Sequence, residues 1–377
     1  MSEIAIMTDS NCGIMPGSEP RPNIHIIPMP VLIDGEIFFE GTSITTDTFY
    51  QKLSGGSKVS TSLPSPGDVI SMWTALLKSY DEIVYIPMSS GLSNSCANAA
   101  MLASDEPFAG RVHVVDNHRI SVTQMQSVLD ACDLAAEGLS GRQIQETLER
   151  ESLDASIYIA VDTLEYLKRG GRVTPAAAAI GTVLNLKPVL TIQGDKLDAF
   201  AKVRGMKSAF RTMCKAVQHD MDTRFLPLKE KGLLKVGMAE TLMPEEEFAS
   251  WKQRFQEYFP DMEIVHYPLT MSIGCHTGPG ALGVGVFSRT HPLIRGLASI
   301  KSNGSQFCRI KETDIDRVGP KPFADNGNMS VFLIYISGIS WEQLKLRRNN
   351  AADSRDSDDS SMKMSGQHKI CPPLPIL

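Results

Sequence analysis

The feature that most limits the fold is a repeated order of short apolar run, polar loop and helical stretch. Its sharpest instance is the apolar run Glu82–Met88, then Ser89-Ser90-Gly91-Leu92-Ser93, then an Ala-rich stretch from Asn94 to Ser104. Strand-like runs at Glu3–Thr8 and Arg111–Val115 each end in a carboxylate, Asp9 and Asp116. Val69, Ile70, Trp73, Leu76 and Leu77 share a helix face, with Ser65 as N-cap and Pro66 at the first helical position. Strands alternating with helices predict a parallel sheet covered on both faces. The strand C-termini of such a sheet open on one edge, where Asp9, the Thr61 loop, the Ser93 loop and Asp116 are expected. Asn23–Ile33 reads as one strand, turning at Asp34-Gly35 into Glu36–Glu40.

A second α/β unit starts near Asp154, with strands and hairpins that predict a mixed or antiparallel sheet. Its strands are Ile157–Val161, the hairpin Pro188–Ile192 with Lys196–Val203, then Leu234–Ala239, Glu263–Tyr267 and Val284–Ser288. Helices are expected at Met206–Met221 and Glu245–Tyr258, and an Ala-rich one from Thr174-Pro175 to near Asn185. Arg169-Gly170-Gly171-Arg172 reads as a turn displaying both arginines, and His276 falls in a Gly/Pro turn. After Arg289 the character changes: Val331–Ser337 is strand-like, and the Asp- and Ser-rich stretch Ala352–Ser361 is expected to be disordered. The expected division is therefore 1–154, 155–288 and an atypical tail, 289–377.

Composition removes several classes of function. A net charge of -6 gives no basic footprint for nucleic acid. No apolar run approaches the roughly 20 residues of a membrane span, and no signal peptide is visible. The seven cysteines are scattered without a CxxC, so neither a metal site nor a disulfide framework is indicated. A cytoplasmic setting with free thiols follows.

The Ser/Gly loop between strand and helix suits an anion, because helix N-terminal amides lack partners. Gly91 would let the backbone approach a ligand. An ordinary loop with a serine cap fits the same residues. Thr61 and Ser62 add hydroxyls, Arg169 and Arg172 add cations, and His276 could join them where the units meet. Such a set suits a carboxylate or a phosphate. A hydrolase would pair Ser93 with His276 and an acid such as Asp9, yet Gly-x-Ser-x-Gly is absent. No Walker A or Gly-x-Gly-x-x-Gly motif occurs in a nucleotide-binding context.

Six motifs, in order, carry a resemblance: Thr8-Asp9-Ser10-Asn11; Val59-Ser60-Thr61-Ser62-Leu63-Pro64-Ser65; Ser89-Ser90-Gly91-Leu92-Ser93; Leu167-Lys168-Arg169-Gly170-Gly171-Arg172; Leu184-Asn185-Leu186-Lys187-Pro188; and His276-Thr277-Gly278-Pro279-Gly280-Ala281-Leu282-Gly283. Over residues 3 to 288 the chain resembles the DegV family, the FakB-type fatty-acid-binding proteins. The resemblance implies the two-domain EDD fold and a long-chain fatty acid held between and within the domains. It implies that Thr61 and Ser93 hold the carboxylate, with His276 near that end and Ser62, Gly91 and Arg169 as further ligand-binding candidates. It implies that Arg172 and Arg204 dock a DhaK-like fatty-acid kinase subunit that phosphorylates the bound acid. The chain itself would then need no catalytic residue, metal or cofactor. An esterase using Ser93 and His276, and a carrier of another amphiphile, remain the competing readings. The segment Asp116–Gln124 departs from the family pattern in lacking its spaced glycines, which bears on helix packing and pocket lining there.

Overall fold

The computed structural model describes residues 2–179 and 186–290. The first half runs β1 (Ile4–Asp9), β2 (Ile24–Ile27), β3 (Pro30–Ile33), β4 (Glu36–Phe39), α1 (Thr46–Ser54), β5 (Val59–Thr61), α2 (Pro66–Leu76), β6 (Glu82–Ile86), α3 (Ser95–Ala103), β7 (Val112–Val114), α4 (Val122–Ala136) and α5 (Gly141–Arg150). β2, β1, β6 and β7 form a parallel sheet in that order. Its central strands carry unbroken apolar runs, Ile4–Met7 and Ile83–Ile86, because both faces are buried. Ile4, Ile6, Val84 and Ile86 face α4 and α5, while Ala5, Met7, Ile83 and Tyr85 face Trp73 of α2 and Cys96 of α3.

The run expected as one strand, Asn23–Ile33, is two. Pro28 has no N–H to continue a ladder, and the chain leaves the parallel sheet there. β3 joins a separate antiparallel sheet, ordered β4-β3-β5. Thr61 ends β5, so it reaches the site from this small sheet and not from the parallel sheet's edge.

The second half runs β8 (Ala155–Ala160), α6 (Glu165–Gly170), α7 (Pro175–Ala178), β9 (Leu186–Ile192), β10 (Asp198–Arg204), α8 (Met206–Asp222), α9 (Leu226–Glu230), β11 (Leu234–Glu240), α10 (Glu245–Tyr258), β12 (Ile264–His266), α11 (Met271–Thr277) and β13 (Leu282–Ser288). Its mixed sheet is ordered β10-β9-β8-β13-β11-β12, antiparallel except where β11 meets β12. One face packs Tyr158, Val236, Met238 and Val284 against Phe210, Met213, Trp251 and Phe255 of α8 and α10. The other face turns Ile159, Leu190 and Ile192 toward Met88, Leu92 and Ile120 of the first half.

Three local expectations change. The arginine motif is the short helix α6, closed by Gly171 at φ 68°, and not an open turn. His276 lies in the last turn of α11, not in the Gly/Pro turn that follows it. The glycine-poor segment still starts a helix, α4, which it enters through Ser121 at φ 57°. The Leu184-Asn185 part of one motif, the expected end of the Ala-rich helix and the tail beyond Thr290 lie outside the described residues.

Candidate functional site

A cavity of about 290 Å³ lies between the halves. Its walls are mainly aliphatic, with Met29, Leu92, Ile120, Ile157, Ile159 and Ile192 among them. Thr61, Ser62, Ser93, Arg172 and His276 also line it. A more open hollow of about 750 Å³ lies over Thr42–Thr48 and touches none of the expected site residues.

The polar end is built from distant parts of the chain. α11 packs Met271 and Cys275 against Val31, Phe49 and Tyr50 of the first half, which carries His276 to β5. There His276 Nε2 lies 2.9 Å from Thr61 Oγ1. The imidazole rests on α6, where a Cβ on Gly170 would stand 2.1 Å from His276 Nδ1. Nδ1 is buried without a partner. Burial, reinforced by the Arg172 charge, lowers the His276 pKa to about 4, so the ring is neutral near pH 7. Ser93 Oγ is 2.9 Å from Ser95 Oγ and accepts the Ser95 N–H at 3.2 Å. Ser62 is exposed at the rim, its hydroxyl donating to Leu63 O at 3.0 Å.

Several residues take other places than expected. Arg172 is half-buried and lines the cavity; its Nε donates to Leu92 O at 3.1 Å and its Nη1 to Gly170 O at 2.6 Å. The expectation that both arginines are displayed therefore holds only for Arg169, which is exposed, stands 5.2 Å from the Tyr166 ring and does not line the cavity. Gly91 is also outside the lining. A Cβ there would meet Asp195 Cα at 2.5 Å, so this glycine makes room for the β9–β10 turn and not for a ligand. Arg204 ends the edge strand β10 and is exposed.

Asp9 caps loops. It accepts from Met88 N at 2.7 Å, Asn11 N at 3.0 Å and Gln124 Nε2 at 3.3 Å, and burial raises its pKa to about 6. No Ser93–His276–Asp9 relay is assembled: His276 pairs with Thr61, and Asp9 is bound to backbone amides and Gln124. Reading the sequence missed Asn11. It lines the cavity, and its Oδ1 accepts from Thr270 Oγ1 at 2.9 Å and from Ser272 Oγ, tying the halves together. No group of His, Cys, Asp or Glu among the described residues could hold a metal ion.

A family model, "Uncharacterised protein, DegV family", matches residues 3–289. The chain belongs to the DegV family. A DegV domain-containing protein of Deinococcus radiodurans is 31% identical over 283 residues, 74% of this chain and 97% of that protein. The solved fatty-acid-binding DegV family protein of Thermus thermophilus superposes with a TM-score of 0.66 at 30% identity, covering 76% of this chain and 99% of that one. DegV of Bacillus subtilis, a fatty acid binding protein, gives 0.65 at 29% identity over 76% of this chain and all (100%) of that one. The DegV fold accounts for the paired sheets, and no helix among the described residues is long and apolar enough to cross a membrane.

Proposed function

We propose that the chain binds a long-chain fatty acid in this cavity and presents its carboxylate to a fatty-acid kinase subunit in the cytoplasm, supplying neither a catalytic residue nor a cofactor. The observation that carries this reading is the Thr61–His276 pair at 2.9 Å on the wall of an otherwise aliphatic cavity. An orphaned buried acceptor is tolerated better than an orphaned N–H. Neutral His276 thus keeps its proton on Nε2 and donates to Thr61 Oγ1, because Nδ1 faces Gly170 without a partner. The Thr61 hydroxyl proton is then free to point at a carboxylate. Ser93 offers a second hydroxyl and Arg172 a nearby positive charge.

Each buried methylene contributes about 0.8 kcal/mol, so the aliphatic walls supply most of the affinity and the hydroxyls fix the head group. The fatty acids bound by the Thermus thermophilus and Bacillus subtilis proteins support the ligand class. The kinase is the partner that the family resemblance implies. A phosphoryl donor brought by such a partner would activate the bound carboxylate, for which the chain assembles no relay of its own. Exposed Arg169 and Arg204 offer that partner bidentate donors.

The test is a fatty-acid titration beside kinase-dependent acyl-phosphate formation. Thr61→Ala and Ser93→Ala are each expected to weaken binding by about 1–3 kcal/mol, since a carboxylate loses a buried donor. Arg204→Glu is expected to slow phosphorylation and leave affinity unchanged. Wild-type affinity in both alanine variants removes the head-group assignment. Turnover of acyl esters by the protein alone, lost in Ser93→Ala, replaces the carrier with an esterase.

A further inference from the structure

The cavity floor is the face of the mixed sheet opposite α8 and α10, and its composition is unusual for strand interiors. Gly283 and Gly285 alternate with Val284 and Val286 along β13, and Gly237 stands opposite Gly285 on β11. All three glycines line the cavity. None has a positive φ, so no turn geometry requires glycine at these positions; at Gly285 the neighbouring Ser156 carbonyl also leaves little room for a Cβ. Glycine also weakens a strand interior. What it provides here is missing side-chain volume.

The pleat shows where the missing volume ends. Gly283, Gly285 and Phe287 occupy successive positions on one face of β13. Phe287 is fully buried and clusters with Val122, the first residue of α4, and Ala155. A Cβ on Gly237 would stand 2.9 Å from Val122 Cγ2 and 3.1 Å from Phe287 Cε1. A Cβ on Gly285 would stand 2.9 Å from Ser156 O, so the groove is open at Gly283, tightens over Gly285 and ends at Val122, which lines it with Phe287 packed behind. Thr61 and His276 sit at the opposite end, because His276 precedes the Gly278–Ala281 turn into β13. The floor from Gly283 to Phe287 is about 13 Å long at roughly 3.3 Å per residue.

We infer that the acyl chain lies along β13 over these glycines, and that Val122, backed by Phe287, forms the stop that sets the longest chain the protein accepts. This inference rests on the fatty-acid reading above. It gives a role to the Asp116–Gln124 segment, which lacks the family's glycines and brings Val122 to the end of the groove. It also separates head-group recognition from chain measurement: the one is set by β5, α6 and α11, the other by α4 and β13.

The experiment titrates wild type, Val122→Ala, Val122→Leu and Gly283→Val with saturated acids of increasing length, using displacement of a fluorescent fatty acid. Val122→Ala is expected to raise the longest well-bound acid by one or two carbons, each newly accommodated methylene adding about fourfold in affinity. Val122→Leu is expected to lower it. A Cβ at Gly283 meets no atom nearer than 3.6 Å, so Gly283→Val projects into the groove without a backbone clash. It is expected to weaken long acids at least tenfold with thermal unfolding little changed. If Val122→Ala fails to fold, Val122→Leu and Gly283→Val decide the matter. Wild-type binding with one unchanged length profile in every folded variant overturns the inference alone. Failure of wild type to take up any acid overturns the fatty-acid reading, and the ruler with it.

Discussion

His276 is where the chemistry of a single residue decides most. Its ring is neutral because burial and Arg172 both oppose a second proton, holding its pKa at about 4 against the usual 6.5. A depressed folded-state pKa means that the unfolded chain takes up the proton first as pH falls. The contribution of His276 to stability is therefore intact above pH 6.5 and lost as pH drops toward 4. Buried Asp9, raised to about 6, acts with the opposite sign: its folded form binds the proton more tightly, so stability is gained as pH falls from 6 toward 3.8. The two overlap, and a wild-type pH profile alone does not separate them. The difference between wild type and His276→Gln isolates the histidine. That difference is expected to shrink steadily from pH 6.5 to 4 in denaturant titrations. A difference independent of pH would mean that the imidazole titrates as it does in water.

At the scale of elements, the site depends on α11 lying between α1 and α6. Two glycines permit this approach. A Cβ on Gly274 would stand 2.2 Å from the Tyr50 hydroxyl oxygen, and one on Gly170 would stand 2.1 Å from His276 Nδ1. Neither glycine has a positive φ, so the cause is contact and not backbone strain. Overpacking at such a contact costs about 1–3 kcal/mol. Gly170→Ala is expected to destabilise the protein by that amount and to move His276 away from Thr61, weakening fatty-acid binding as well. Unchanged thermal unfolding together with unchanged affinity would show that α6 shifts without involving the imidazole. Gly91 plays the same part for the β9–β10 turn, where Ser89 Oγ donates to Gly194 O at 2.6 Å.

For the whole molecule, the telling contacts join the halves. Asn11 meets Thr270 and Ser272, Thr61 meets His276, and Arg172 meets Leu92. Arg119 is a further tie of this kind, only 3% exposed. Its guanidinium donates to Glu151 O at 2.7 Å, Ser152 O at 3.2 Å and, at 3.5 Å, to the carbonyl oxygen of Ser288 in β13. The Asp130, Glu151 and Asp154 carboxylates lie around it, and burial lifts all three pKa values, that of Glu151 to about 7. Removing the cation leaves buried carbonyl oxygens without a donor and takes a positive charge away from the nearby carboxylates, at a cost of about 1–3 kcal/mol. Arg119→Met is expected to lower stability by that amount in denaturant unfolding. Arg119→Lys is not expected to restore it, because one ammonium cannot reproduce the planar fork. An unchanged denaturation midpoint in Arg119→Met would show that the halves are held elsewhere.

What the sequence determined by itself was whatever is written in local spacing. Continuous apolar runs gave the buried parallel strands, Ser65-Pro66 gave the start of α2, and the hairpin around Gly194-Asp195 formed as its turn residues require. The motif order pointed to Thr61, Ser93 and His276, and all three line one cavity. Even the groove was legible in principle: Gly283 and Gly285 alternating with valines leave two successive positions on one strand face without side chains. The tertiary structure decided what depends on which segments meet. Pro28 split a run that read as one strand, but only packing sent the second piece to a different sheet. Arg169 and Arg172, three residues apart, separated into surface and cavity because Gly171 ends α6 between them and the chain beyond it brings Arg172 to Leu92. Gly91 proved to serve a hairpin more than 100 residues away, and Asp9 proved to cap loops instead of meeting a ligand. Periodicity fixes which face of an element is apolar. What lies against that face is set by long-range packing, which no local pattern records.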